Sequence, residues 1–151
     1  MKVKENEEST EINAEGIRVF VYGTLKSGKG NWRHYLDNDR TVSLGRCKIT
    51  GPFAMYDLGF FPCVIEDSSL PEAEIYGEVF LVDSDTLDSL DLLEGHPDWY
   101  CRRKIPTPWK NAWIYTMPLK GNGALEEEHY ITSGCWNPSE EEAEWIANEC
   151  A

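Results

Sequence analysis

Short β-branched and aromatic runs, each cut off by glycine or proline, constrain this chain more than any other feature of its sequence. Ile17 to Tyr22 (IRVFVY) is a buried-strand pattern that stops at Gly23. Ile75 to Val82 (IYGEVFLV) is a second. Runs this short build sheets and fall well below the ~20 apolar residues of a membrane helix. Thr41 to Ile49 predicts a further strand closed by Gly51-Pro52. Ala54 to Leu58 and Cys63 to Glu66 predict two short ones around Gly59 and Pro62, and Arg102 to Thr107 and Ala112 to Met117 predict two more.

Helical patterns are fewer. Trp32 to Leu36 reads as a short helix. Ser84 to Gly95 (SDTLDSLDLLEG) follows its strand at once, with Asp83 or Ser84 as N-cap, Asp85 in the first turn and Gly95 as the closing residue. Near the end, Pro138 precedes Ser139, and Ser139 with Glu142 forms a capping box. Ala143, Ile146, Ala147 and Cys150 then recur at helical spacing and predict an apolar face. Many short strands with two or three helices imply an α+β fold with a mostly antiparallel or barrel-like sheet. With 151 residues, the expectation is a disordered acidic tail over residues 1–16 and a single domain over 17–151.

Charge narrows the partners. The net charge is -13, so neither nucleic acid nor an anionic membrane is expected as a partner. Acidic residues crowd both ends, whereas Ile17 to Lys48 is rich in Lys and Arg and can still receive an anionic small molecule. The start, Met1 to Gly16, has no apolar core of a secretory signal, and a cytoplasmic location is expected. Five cysteines without any C-x-x-C fit reduced thiols. His34, His96 and His129 lie far apart in sequence, and no metal or other cofactor is expected.

Two segments carry candidate chemistry. In the first, Gly23 to Gly30 nearly matches a phosphate loop, and Val79 to Asp83 imitates an apolar run ending in a magnesium ligand. Gly30, however, stands where Ser or Thr would supply the metal's hydroxyl ligand. The other reading is a strand-to-loop turn, Tyr22-Gly23-Thr24-Leu25, whose successive N–H groups face a cleft and receive a carboxylate or developing oxyanion. Gly23 would permit close approach or an unusual φ. In the second segment, Glu94 is seven residues from Leu87 and four from Leu90, so it falls on the helix's inward face. It also sits at the negative end of the helix dipole. Desolvation and the dipole both raise its pKa and suit it to proton transfer near neutral pH. Asp91 lies near the same face, and periodicity does not choose between them.

Taken in order, V-F-V-Y-G-T-L-K (Val19 to Lys26), Leu90-Asp91-Leu92-Leu93-Glu94-Gly95 and Tyr100-Cys101-Arg102 resemble the γ-glutamyl cyclotransferase superfamily. The resemblance is strongest to γ-glutamylamine cyclotransferases and plant avirulence-induced proteins, over Ile17 to Met117. It implies a small mixed β-barrel flanked by helices, with a cavity at one end. It implies that Tyr22, Gly23, Thr24 and Leu25 bind the γ-glutamyl group, that Glu94 is the catalytic carboxylate, and that Tyr100 and Tyr115 lie near the pocket. Arg102 matches a step whose role is structural. The implied reaction is cyclisation of a small γ-glutamyl compound to 5-oxoproline without metal or nucleotide. The competing expectations are a catalytically silent ligand-binding module on the same fold and a phosphate-loop nucleotide binder. For the leaving group, Trp32, His34, Phe60, Phe61 and Trp99 are candidate cleft residues, and Lys26, Lys29 and Arg33 are candidate partners for a second carboxylate.

Overall fold

The structure, a computed structural model, describes residues 16–118 and 127–150. The expected tail lies outside these residues, Gly16 apart. The strands are β1 (Ile17–Val21), β2 (Val42–Gly51), β3 (Phe53–Asp57), β4 (Pro62–Glu66), β5 (Ala73–Val82), β6 (Cys101–Ile105) and β7 (Ala112–Thr116). The helices are α1 (Gly30–Tyr35), α2 (Ser84–Glu94) and α3 (Glu140–Cys150), with a 3-10 turn at Glu127–His129. Each predicted strand and helix of the sequence is present, with ends shifted by one or two residues.

The five-stranded sheet has the order β2-β5-β1-β7-β6. Only the β1–β7 pair is parallel; β1–β5, β2–β5 and β6–β7 are antiparallel. The hairpin β3–β4 forms a second, two-stranded sheet. It touches the larger sheet through a parallel bridge between Ile65 and Met117, where Met117 N–H donates to Val64 O at 2.9 Å. The sheets do not close on themselves, so the mixed α+β class holds while the barrel description is too strong.

β1 occupies the middle of the large sheet because its side chains are apolar on both faces. Val19 and Val21 enter one core cluster with Leu87 and Leu90 of α2, and Phe20 enters the other with Val79 and Ile114. The centre of β5 is pinned by Gly77, where any Cβ would strike Val21 O and the ring of Phe20. β1 therefore delivers the residues that follow it, Tyr22 onward, to one edge of a rigid layer.

The C-terminal helix corrects one expectation. Ala143 and Ala147 are exposed, Ile146 is half-buried, and the side chain of Cys150 lies outside the description. The buried position of α3 is Glu142, and Trp145 packs edge-on against Tyr76 with ring centroids 5.6 Å apart. The inward face is thus rotated from the alanine stripe, because a buried charge partner and an aromatic contact outweigh small apolar side chains. The capping box does form: Ser139 N–H donates to Glu142 Oε1 at 3.2 Å, and Glu142 N–H to Ser139 Oγ at 3.1 Å.

Candidate active site

One cavity of about 320 Å³ opens where β1 ends. Its wall includes Tyr22, Gly23, Thr24, Leu25, Glu94, Tyr100 and Tyr115, so all seven site residues expected from the sequence meet around one space. Phe60, Phe61 and Trp99 also line it, whereas Trp32 and His34 do not.

The turn is built by a close approach. A Cβ on Gly23 would stand 2.7 Å from Pro62 Cδ and 2.9 Å from its Cγ, so only glycine lets the turn lie against the start of β4. Close packing, and not a left-handed φ, is what this glycine supplies. Lys26 N–H donates to Gly23 O at 3.0 Å and closes the turn. Asn31 Nδ2 donates to Thr24 Oγ1 at 2.7 Å, and Trp32 N–H to Thr24 O at 3.1 Å, which ties the turn to α1. Among the described residues, no hydrogen bond engages the N–H groups of Gly23, Thr24 or Leu25. Three consecutive donors at a cavity wall are suited to an anion or a polarised carbonyl oxygen.

Glu94 reaches the same space from α2. Asp83 caps that helix through Thr86 N–H at 2.8 Å. Leu87 and Leu90 are buried beneath it and set its rotation. Gly95, at φ 67°, ends it, with Gly95 N–H returning to Leu92 O and His96 N–H to Asp91 O. Tyr100 N–H then donates to Glu94 O at 3.1 Å, so the loop after the helix brings Tyr100 beside the carboxylate. Burial pushes the Glu94 carboxyl from 4.5 up to about 7, and among the described residues no counter-charge or hydrogen bond opposes it.

Three phenols surround it. Tyr22 Oη donates to Tyr115 O at 2.6 Å and accepts from Val64 N–H at 3.2 Å. Tyr100 Oη donates to Pro62 O at 2.7 Å, and Tyr115 Oη to Asp91 Oδ1 at 2.6 Å. Burial raises all three phenols far above the ordinary value, helped at Tyr115 by its bond to the charged Asp91 and to a lesser extent at each by the Glu94 charge, so they stay protonated.

Asp91 and Glu94 therefore separate by environment. Asp91 is held by Arg102 at 2.8 and 3.1 Å and by the Tyr115 hydroxyl. Partial burial pulls its pKa up, but these hydrogen bonds and the guanidinium charge outweigh burial and keep it below the usual carboxylate range. Arg102 also stacks over Trp113 at 4.3 Å. A carboxylate so engaged is suited to orienting its neighbours, and an unengaged one with a raised pKa is suited to exchanging protons.

The phosphate-loop features serve other ends. Asp83 is a helix cap, and Lys29 Nζ donates to Asn137 O at 2.7 Å. Lys26 is also removed from the cleft: it is buried and paired with Glu142. Sequence reasoning missed this pair, because a lysine after Leu25 reads as a solvated loop residue. The available signal was that Lys26 continues the apolar run V-F-V-Y-G-T-L without a break.

The chain matches the family model described as "Gamma-glutamyl cyclotransferase, AIG2-like" over residues 19–138, which extends beyond Met117 to include Trp136, whose carbonyl accepts from Lys26, but not Glu142. A Vibrio cholerae protein with a provisional gamma-glutamylcyclotransferase name is 43% identical over 97 residues, covering 64% of this chain and 78% of that one. Gamma-glutamylaminecyclotransferase A of Danio rerio is 33% identical over 127 residues, covering 81% of this chain and 72% of that one. The solved structure of YtfP from Escherichia coli superposes with a TM-score of 0.58 at 31% identity, covering 80% of this chain and 96% of that one. By sequence and by fold, this chain belongs to the gamma-glutamyl cyclotransferase, AIG2-like family.

Proposed function

We propose that this chain cyclises a γ-glutamyl amide, releasing 5-oxoproline and an amine or amino acid. The observation that supports the reading is that Glu94, whose carboxyl pKa is raised by burial, lines the same cavity as Gly23, Thr24 and Leu25, whose N–H groups have no hydrogen-bond partner among the described residues. Family membership supports the reaction class, and the Danio rerio relative's name supports γ-glutamylamines as one substrate type.

The substrate's own α-amine attacks its own δ-carbonyl carbon. As an ammonium it has no lone pair to attack with, so the Glu94 carboxylate takes its proton. A new C–N bond closes the five-membered ring, and the carbonyl electron pair moves onto oxygen. The turn's N–H groups offset that developing charge. When the carbonyl reforms, the bond to the leaving nitrogen breaks, and Glu94 returns its proton to that nitrogen. The ring nitrogen sheds its second proton to Glu94, which passes it to the released amine, so the amine leaves as an ammonium and Glu94 ends as it began. A pKa of about 7 allows both steps: near neutral pH the carboxylate form is available to accept, and its conjugate acid is strong enough to donate. The enzyme's remaining task is to hold the substrate folded, since an attack within one molecule gains much of its rate from orientation. Free thiols at Cys47, Cys63, Cys101 and Cys135 support a reducing compartment, and the cytoplasm is the proposed setting.

The test is to incubate the purified protein with γ-glutamyl dipeptides, glutathione and γ-glutamyl-lysine and to measure 5-oxoproline. Formation from at least one is expected. No product from any, with a γ-glutamyl compound still bound, would instead identify a silent binding module.

A further inference from the structure

We infer that Lys26 and Glu142 are positioning residues for the turn that carries the N–H donors, so that the C-terminal helix α3 takes part in catalysis at a distance. The inference rests on the proposed reaction and names a part of the machinery that the cavity wall does not contain.

Lys26 follows Leu25 directly and is 2% exposed. Its Nζ donates to Trp136 O at 2.7 Å and lies 2.9 and 3.1 Å from the two Glu142 oxygens, with Cys135 Sγ at 3.8 Å. Glu142 is itself 5% exposed and is held from behind by Ser139 N–H. The lysine thus has every strong partner in one segment that is more than a hundred positions away in sequence. That segment is anchored in turn to the large sheet. Tyr76 N–H donates to Gly134 O at 2.9 Å, Trp136 is buried in the core, and a Cβ on Gly134 would strike Glu74 O.

A buried ion pair seldom adds net stability over apolar side chains of the same size, because removing two charges from water costs about what their attraction returns. What it adds is a fixed direction. Lys26 backbone N–H closes the turn on Gly23 O while its side chain runs the other way, into the clasp. The main chain from Gly23 to Lys26 is therefore held at both ends, by Pro62 against Gly23 and by Glu142 through Lys26. Three N–H groups can converge on one oxygen only if this arc is rigid.

The experiment compares wild-type protein with Lys26→Met/Glu142→Leu, which replaces both charges by apolar groups, and with Glu142→Gln, which keeps the shape. Circular dichroism and melting identify the variants that fold. NMR amide signals of Gly23, Thr24 and Leu25 report the turn whether or not the substrate assignment is right, and steady-state kinetics with a γ-glutamyl amide report catalysis. The expected result for a folded variant is displaced or broadened signals at these three amides, unchanged signals in α2, and kcat at least tenfold lower with KM within threefold. A purely structural pair would leave kcat intact once the double variant is folded. Unmoved turn amides in either folded variant would overturn the inference. Should wild-type protein make no 5-oxoproline, the amide signals alone decide the clasp and the substrate assignment fails separately.

Discussion

Replacing Glu94 by Gln should make the protein gain resistance to unfolding, relative to wild type, as pH rises. The carboxyl is pushed from 4.5 to about 7 in the folded chain. A group with a raised folded pKa binds its proton more tightly when folded, so its favourable contribution is complete below about pH 4.5 and is lost as pH climbs through 7. At ~1.4 kcal/mol for each pKa unit, the loss amounts to about 3 kcal/mol. Glutamine has no such proton to lose. Urea unfolding of both proteins at several pH values between 4 and 9 isolates the effect, because every other titrating group cancels in the difference. Any constant offset between Glu and Gln is irrelevant; only the change with pH matters. The expected curve is flat near pH 4, rises by about 3 kcal/mol in favour of the variant, and levels off above pH 8. A difference that stays constant across this range would refute the claim that Glu94 is desolvated and unpaired.

Three further perturbations follow from contacts at the site. Gly23→Ala forces a Cβ against Pro62; the expected cost is about 1–3 kcal/mol, as for overpacking, with 5-oxoproline formation falling more than tenfold. Asp91→Asn weakens the bonds to Arg102 and Tyr115; the loss should be about 1–3 kcal/mol by urea unfolding at pH 7. Because the Asp91 pKa is lowered, its contribution is present above pH 4 and is lost as pH falls through that lowered value, so the two proteins should converge in acid. Tyr100→Phe leaves Pro62 O without its 2.7 Å donor, and a melting experiment should show a loss of about 1–2 kcal/mol.

The elements most readable in the sequence are those whose signal is local. β1 and β5 announce themselves through composition, and α2 carries its cap, its leucine spacing and its terminal glycine within one segment. The phase of α2 also placed Glu94 inward, though it could not separate Glu94 from Asp91. That choice depends on Arg102 and Tyr115, which reach Asp91 from the strands β6 and β7. The same limit explains α3. Its alanines look like a buried stripe, but the face that docks is selected by Lys26 and Tyr76, more than sixty residues away in the chain. Gly23 was legible as special, yet the reason was not: Pro62 presses on it from a different sheet. Sheet closure likewise depends on how β3–β4 meets β7, and one bridge leaves the barrel open.

The central claim is that Glu94 carries the proton during cyclisation. It is tested most directly by measuring 5-oxoproline released from a γ-glutamyl amide by wild-type protein and by Glu94→Gln at pH 8, with both shown to be folded. Loss of a general base predicts a fall in kcat of at least ~100-fold with substrate still bound. Wild-type turnover by the folded Gln variant would contradict the account.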